Sequence, residues 1–594
     1  MKVFIHEYGM ALLSILMCVF LMVTASPVST QIQGAMTDVV NQATDVANFD
    51  DLEITVDETI GVYNGKKVAK AELSCSKTTS NDDLSGQKDL FTVTVTYSDN
   101  TSEEIPAADI ISINKIKEDN SGITYTATIK GEKKNFDTSE LTIDKITPIY
   151  AGYNSNDSTL YFANTENEIK DAGVDLSGTN YYGDISNNCD YKQGNSPWFS
   201  KRSNITDINV LSEIKPSSCR YWFNDCSNLT SVIGIDKLNT SNVQDMMNMF
   251  YGCSKLTELD LSHFETKNLK TIQGIFMNCS SLKSLDLSNF DTSNLTNIAY
   301  SFRNTRIETL DVSNWKNTKI ANMNELFSIS TLKSINLDGF NTDNVKSMES
   351  MFEGCSRLQS INLSSFNTKN VTSMKNMFKN CSSLTSLNVN NINTSNVQNM
   401  MDMFYGCSKL TELDLSHFET KNLKTLQGMF WDCSSLKSLD LSNFDTKNVS
   451  SFAYMFYGCS NLNSIDMSNF DATSAVSLSY MFYNCKSLKD IDLSFFKPTK
   501  LSSITYMFSG AINLRNVDIS GLDTSNITDI RCLFYQCENI STINLGEFKT
   551  DKIKETIYAF NSLSSNSKVY TTSQKTKDFL SAITYGTVVL GTPD

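Results

Sequence analysis

Proline and histidine are scarce in this chain of 594 residues, with seven of the first and three of the second. So little proline, with a hydrophobic content of 40%, fits a folded chain rather than a disordered one. Three histidines make a histidine-based catalytic centre hard to assemble: His6 is near the N-terminus, and His263 and His417 share one repeat position. Positive charge is also in deficit. Fifty Lys and Arg face 66 Asp and Glu, a net charge of −16, whereas a nucleic-acid partner needs a basic footprint. No Walker loop, H-E-x-x-H or G-x-S-x-G motif occurs, and no C-x-x-C pair suited to zinc. The expectation is a protein with no enzymatic activity, no cofactor and no metal.

Long apolar runs are confined to the start of the chain. Met10 to Ala25 is almost unbroken, with Lys2 ahead of it and the small residues Val23 and Ala25 placed for signal peptidase cleavage before Ser26. A cleaved secretory signal is the first reading. A retained membrane anchor is the second, because Val28, Ile32, Met36 and Val39 continue at helical spacing and the segment after Gly9 is similar to a pilin-like N-terminal helix. Either way residues 1–50 stand outside the fold, the membrane is touched only through them, and the remainder is expected to be extracellular, secreted or attached to the cell surface.

Residues 51–149 read as β. Phe91, Val93, Val95 and Tyr97 alternate with polar residues, the pattern of a strand with one buried face. Ser98-Asp99-Asn100-Thr101 supplies a turn, and Glu53–Val56 and Thr124–Ile129 read as further strands. Several short strands predict a small sandwich, and FTVTVTYSDNTSEEIP resembles the bacterial immunoglobulin-like domains that act as spacers on surface proteins.

Beyond this the chain repeats. MFYGCSKLTELDLSHFETKNLKT begins at Met249 and again at Met403, and phenylalanines recur every 25 to 27 residues from Phe223 to Phe560. A fixed period of that size signals stacked units, each burying its face against its neighbours. The offset of the duplicated passage is six whole units, so a six-unit block was copied in register. Within one unit Leu256, Leu259 and Leu261 follow L-x-x-L-x-L, predicting a short strand with Glu258, Asp260 and Ser262 outward. Leu269, Ile272, Phe276 and Cys279 follow at steps of three and four, predicting one face of a short helix, and Ser241-Asn242 read as N-cap residues for the equivalent helix.

MFEGCSRLQSINLSSFNTKNVTSM from Met351 and MFYGCSNLNSIDMSNFDATSAVSLSYM from Met455 resemble the repeat of the BspA-like leucine-rich surface proteins of bacteria. The resemblance implies an α/β leucine-rich-repeat solenoid over 223–560, with a concave parallel sheet and short outer helices. Residues 150–222 would be its N-terminal cap, as SPWFSKRSNITDINVLSEI resembles that family's cap, and 561–594 its C-terminal cap. It also implies a cell-surface or secreted binding and adhesion protein. The expected partners are a host, matrix or cell-surface protein or glycan; the alternative is a structural stalk or a self-associating protein.

Three repeat columns are candidates for chemistry. Cys253, Cys279, Cys355, Cys381, Cys407, Cys433, Cys459, Cys485 and Cys537 hold one position. Buried thiols fit a regular ladder, because pairing would have to break its symmetry; scattered disulfides or a metal are the alternatives. Asp414, Asp440, Asp466, Asp492 and Asp518 form an acidic row on the strand face, the first candidate for ligand binding, although bonds to neighbouring backbone or hydroxyls would also explain it. Trp431, Tyr457 and Tyr483 form the second, with Tyr454, Tyr480 and Tyr506 close by. Tyr and Trp are enriched at interfaces, and mutual stacking is the alternative.

Overall fold

A computed structural model describes residues 60–593, apart from 77–82, 119–121, 133, 145–146, 187–188 and 317. The N-terminal signal or anchor and the strand expected at Glu53–Val56 lie outside the described residues. The chain divides into two compact units, Met1–Ile146 and Thr147–Asp594.

The first unit contains two antiparallel sheets. β1 (Gly61–Tyr63), β2 (Lys66–Cys75), β3 (Phe91–Tyr97) and β4 (Ser102–Glu104) form one, and β5 (Ile110–Glu118), β6 (Gly122–Ile129), β7 (Phe136–Asp137) and β8 (Leu141–Asp144) the other. Phe91, Val93, Val95 and Tyr97 are buried as their alternation requires. They share one core with Ile113, Tyr125 and Ile129 of the second sheet. The turn after β3 closes with Asn100 at φ 65° and the Thr101 amide donating to Asp99 Oδ1 at 2.9 Å.

The second unit opens with β9 (Tyr150–Asn154), β10 (Thr159–Ala163), α1 (Glu166–Asp171), β11 (Tyr181–Asp184), β12 (Asp207–Val210) and β13 (Ser231–Ile233). β10, β12 and β13 pair in parallel. Phe162 stacks on Trp222 at 5.2 Å and meets Trp198 edge-on at 5.2 Å, an aromatic plug on which the first repeat phenylalanine, Phe223, sits.

From there successive units stack as rungs. Short parallel strands pair between neighbours: β14 (Thr309–Asp311) with β15 (Ser334–Asn336), and β16 (Ser438–Asp440) with β17 (Ser464–Asp466). Then β18 (Asp490–Asp492), β19 (Asn516–Asp518), β20 (Thr542–Asn544), β21 (Lys568–Thr571) and β22 (Thr587–Leu590) form one sheet. Inside, the repeat phenylalanines make an unbroken column, for example Phe378 to Phe404 at 6.0 Å and Phe456 to Phe482 at 5.5 Å. A second column runs through Phe264, Phe290, Trp315, Phe340 and Phe366, all buried.

The expected outer helices are absent. Among the described residues the helices longer than one turn are α1 and α2 (Gln574–Ser581), neither within the repeats, so the chain is mostly β rather than α/β. In each unit from Phe223 to Phe534 the residues two before and two after the repeat phenylalanine have positive φ, as at Asn248 (54°) and Gly252 (74°) around Phe250. Alternate amides then point to the next rung: Asn248, Phe250 and Gly252 donate to the carbonyls of Gln273, Ile275 and Met277 at 2.9, 3.0 and 2.8 Å. The amides between them close local turns, as Tyr251 does on Asn248 and Cys253 on Phe250. A helix would have kept all of these bonds within itself; here half of them join rungs. Ser241-Asn242 therefore caps no helix.

Candidate functional site

The thiol column is the most regular. None of the described cysteines is in a disulfide. Cys407 Sγ donates to the Phe378 carbonyl at 3.2 Å, Cys433 to Phe404 at 3.1 Å and Cys459 to Phe430 at 3.0 Å. The thiol thus fills a small buried space and meets a carbonyl of the preceding rung. Burial pushes the Cys279 and Cys407 thiols up to about 12, so they are protonated at neutral pH and inert.

On the strand face each Asp of the acidic row holds the turn that follows it. Asp414 Oδ1 accepts from the Ser416 amide at 3.0 Å, Asp440 from Ser442 at 3.0 Å, Asp466 from Ser468 at 2.9 Å, Asp492 from Ser494 at 2.8 Å and Asp518 from Ser520 at 2.9 Å. Where asparagine replaces aspartate, its amide reaches back across the rung: Asn544 Nδ2 donates to Asp518 Oδ2 at 2.8 Å and Asn336 Nδ2 to Asp311 Oδ2 at 3.1 Å. The Ser416 amide holds the Asp414 carboxyl below the usual range, and hydrogen bonds from Ser442 do the same for Asp440 against the repulsion of Asp414. An open groove of 480 Å3 on this face is lined by Leu387, Asn388, Leu413, Asp414 and Asp440 among others. The row is thus brought together as expected, with one oxygen of each carboxylate committed to the backbone.

The turn face carries the aromatic set, and there the structure adds what the sequence did not show. Trp431, Tyr454, Tyr480 and Tyr506 form one stack, with centroids 4.7, 4.8 and 4.7 Å apart and planes within 6°, 7° and 5°. Tyr457 and Tyr483 stack beside it at 4.5 Å, and Tyr405 meets Trp431 edge-on at 4.9 Å. All seven rings are partly exposed. Trp431 belongs by repeat position with Tyr457, yet it leans into the column of Tyr454, where Gly428 brings no ring of its own: Asp402 Oδ1 lies 2.0 Å and Trp431 Cε3 3.6 Å from where a Gly428 Cβ would be. Lys379 closes the N-terminal end, its ammonium 5.0 Å from the Tyr405 ring centre and 3.5 Å from Asp402. Cys532, at φ 55°, interrupts the column before the exposed pair Tyr535 and Tyr558.

Tyr454, Tyr480 and Tyr506 hold left-handed backbone at φ 60°, 58° and 57°. That conformation costs a non-glycine residue about 1–2 kcal/mol, and a stacked aromatic pair returns about 0.5–1.5 kcal/mol. The rings are therefore close to neutral for stability. Five equivalent rungs use Asn248, Gly274, Asn376, Asp402 and Gly428, which tolerate this backbone better, while others place Tyr300, Glu325, Ser350 and Cys532 there. Those Gly, Asn and Asp residues, with Gly252, Asn278, Asn380 and Gly406 four positions later, are the sequence signal that would have found the left-handed turns.

Among the described residues no group of three or more His, Cys, Asp or Glu is placed to hold a metal, and no helix is long and apolar enough to cross a membrane. His417 Nε2 is tied to the Val389 carbonyl at 2.7 Å.

Parallel pairing between consecutive rungs over most of the chain defines a stacked-repeat protein. Residues 217–335, 300–412, 407–516 and 465–573 match the family described as Mycoplasma protein of unknown function, DUF285. Together these segments cover more than half of the chain, which belongs to that family. No curated protein matches it.

Proposed function

We propose that the chain is an extracellular, surface-associated protein whose repeats form a leucine-rich-repeat-type solenoid that holds a macromolecular partner, and that it is a binding protein rather than an enzyme. The supporting observation is the partly exposed aromatic strip from Tyr405 to Tyr506, in which Tyr454, Tyr480 and Tyr506 are kept on backbone that costs as much as the stacking returns. Residues retained in unfavourable backbone without a gain in stability point to function. Tyr and Trp supply large, rigid contact area at little entropic cost. The acidic row is the weaker site, because holding the turn that follows it explains each aspartate.

Two variants test this by retention of the protein on extracellular matrix or whole cells. Replacing Asp440, Asp466 and Asp492 with Asn keeps the backbone acceptors and should leave retention unchanged. Replacing Trp431, Tyr457 and Tyr483 with Ala should abolish it, since each central anchor contributes about 2 kcal/mol or more. The opposite pattern, with sensitivity to salt as screening shortens from about 10 Å to about 3 Å, would return the site to the acidic row.

A further inference from the structure

The chemistry of the strip selects among partners. In a chain of net charge −16, the turn segments 452–458, 478–484 and 504–510 contain no Asp, Glu, Lys or Arg. Their part-exposed residues are tyrosine with Gly458, Asn484 and Thr505, a mixture that gives apolar ring surface with adaptable hydrogen bonding. The strip is long and narrow. It runs about 20 Å across five rungs at the spacing of paired strands, yet is two rings wide, with Tyr454 to Tyr457 at 6.1 Å and Tyr480 to Tyr483 at 5.7 Å between centres.

A globular protein partner would need about 800 Å2 of this surface, far more than two columns of rings provide. An extended peptide advances about 3.3 Å per residue, out of step with rings repeating at 4.7–4.8 Å. An anionic glycan or nucleic acid would meet an acidic molecule with basic residues at the ends of the strip, Lys379 beside Tyr405 and Arg531 beside Tyr506, and none in those three segments. A linear neutral glycan fits each of these features: it is narrow, uncharged, rich in hydroxyls, and one extended hexose is of the same order of length as one rung. Resting on the reading that the turn face is the binding surface, we infer that the strip Tyr405–Trp431–Tyr454–Tyr457–Tyr480–Tyr483–Tyr506 binds a linear, uncharged oligosaccharide lying along the stack.

Tryptophan fluorescence isolates this site. Trp198, Trp222 and Trp315 are at most 1% exposed, so acrylamide quenching in the full-length protein reports Trp431. The probes are the β-1,4-linked hexasaccharides of glucose and of N-acetylglucosamine, with glucose and a heparin hexasaccharide as controls. At least one neutral hexasaccharide should shield Trp431 equally at about 0.1 M and about 1 M salt, while glucose and heparin should not. Combining Tyr454→Gly and Tyr480→Gly with Tyr457→Ser and Tyr483→Ser should weaken binding at least roughly tenfold. This variant should fold, because Gly428 and Ser509 already occupy those two positions.

Shielding by neither neutral hexasaccharide, or by heparin alone, overturns the glycan assignment. If the variant then still loses retention on matrix or cells, the turn face stands and only the partner class is wrong. If retention survives in the variant, the turn-face reading falls as well.

Discussion

At the scale of single residues, the cysteine column shows how a small side chain can serve packing and hydrogen bonding together. Cys459 is fully buried and its thiol reaches the Phe430 carbonyl. Cys459→Ala should cost about 1–2 kcal/mol, from one lost bond and a small void, read as a lower denaturant midpoint with unchanged slope. Reagents for thiols should find few groups in the native protein and many after unfolding. The pH dependence follows from the same burial. The folded thiols of Cys279 and Cys407 titrate near about 12, against about 8.5 for an unfolded cysteine. Their folded values are raised, so the contribution is complete below the unfolded value and is lost as pH climbs through the folded one. The melting temperature should fall from about pH 8.5 upward, and less steeply in a Cys279→Ser, Cys407→Ser variant. A fall as steep as the parent's would assign the alkaline loss to other groups.

At the scale of elements, steps of three and four in the apolar pattern are shared by a helix and by consecutive turns. Leu269, Ile272, Phe276 and Cys279 are all buried, as the periodicity requires, yet Gly274 at φ 62° and Asn278 at φ 63° break the helix twice. The pattern located the buried face correctly and named the wrong element. Gly458 shows why that position matters: an added Cβ would lie 2.0 Å from Asp432 Oδ1, on backbone at φ 70°. Gly458→Ala should therefore destabilise by about 1–2 kcal/mol from the backbone alone, with more from the clash. Gly86, which has nothing near its Cβ direction, is the control, and an equal loss there would dismiss the packing argument. On the strand side Val517 is buried between Ile491 and Ile543 on β19, an interior strand of the five-stranded sheet. Val517→Pro removes a backbone donor from a central strand and should cost about 3 kcal/mol or more. Unchanged melting and protease resistance would contradict that pairing.

At the scale of the whole molecule, contacts run between neighbouring rungs, so stability is close to a sum of nearest-neighbour terms. The identical passages from Met249 and Met403 make a direct test possible. Deleting residues 249–402 joins Asn248 to Met403 in the same register as the native Asn248–Met249 junction. The shortened protein should fold, keep its remaining thiols protected, and unfold with a smaller denaturant slope in proportion to the lost surface. A deletion longer by half a unit should leave Phe and Cys columns out of step and fail to fold. If both deletions behave alike, register between rungs is not what holds the stack.

The sequence by itself determined the period, the buried columns and the acidic row, because a side chain repeated every 25 to 27 residues must find its equivalents in the adjoining rungs. It also carried the alternation of Phe91 to Tyr97, since a strand buried on one face has no other way to segregate its residues. Only the tertiary structure decided what the outer leg of each unit is. The choice between helix and left-handed turns depends on whether an amide finds its acceptor four residues back or in the next rung, and that acceptor exists only once rungs stack. The aromatic strip was settled at the same level. Trp431 and Tyr454 belong to different repeat positions and become one stack where Gly428 brings no ring of its own to the column, beside a neighbour that the chain reaches a rung later.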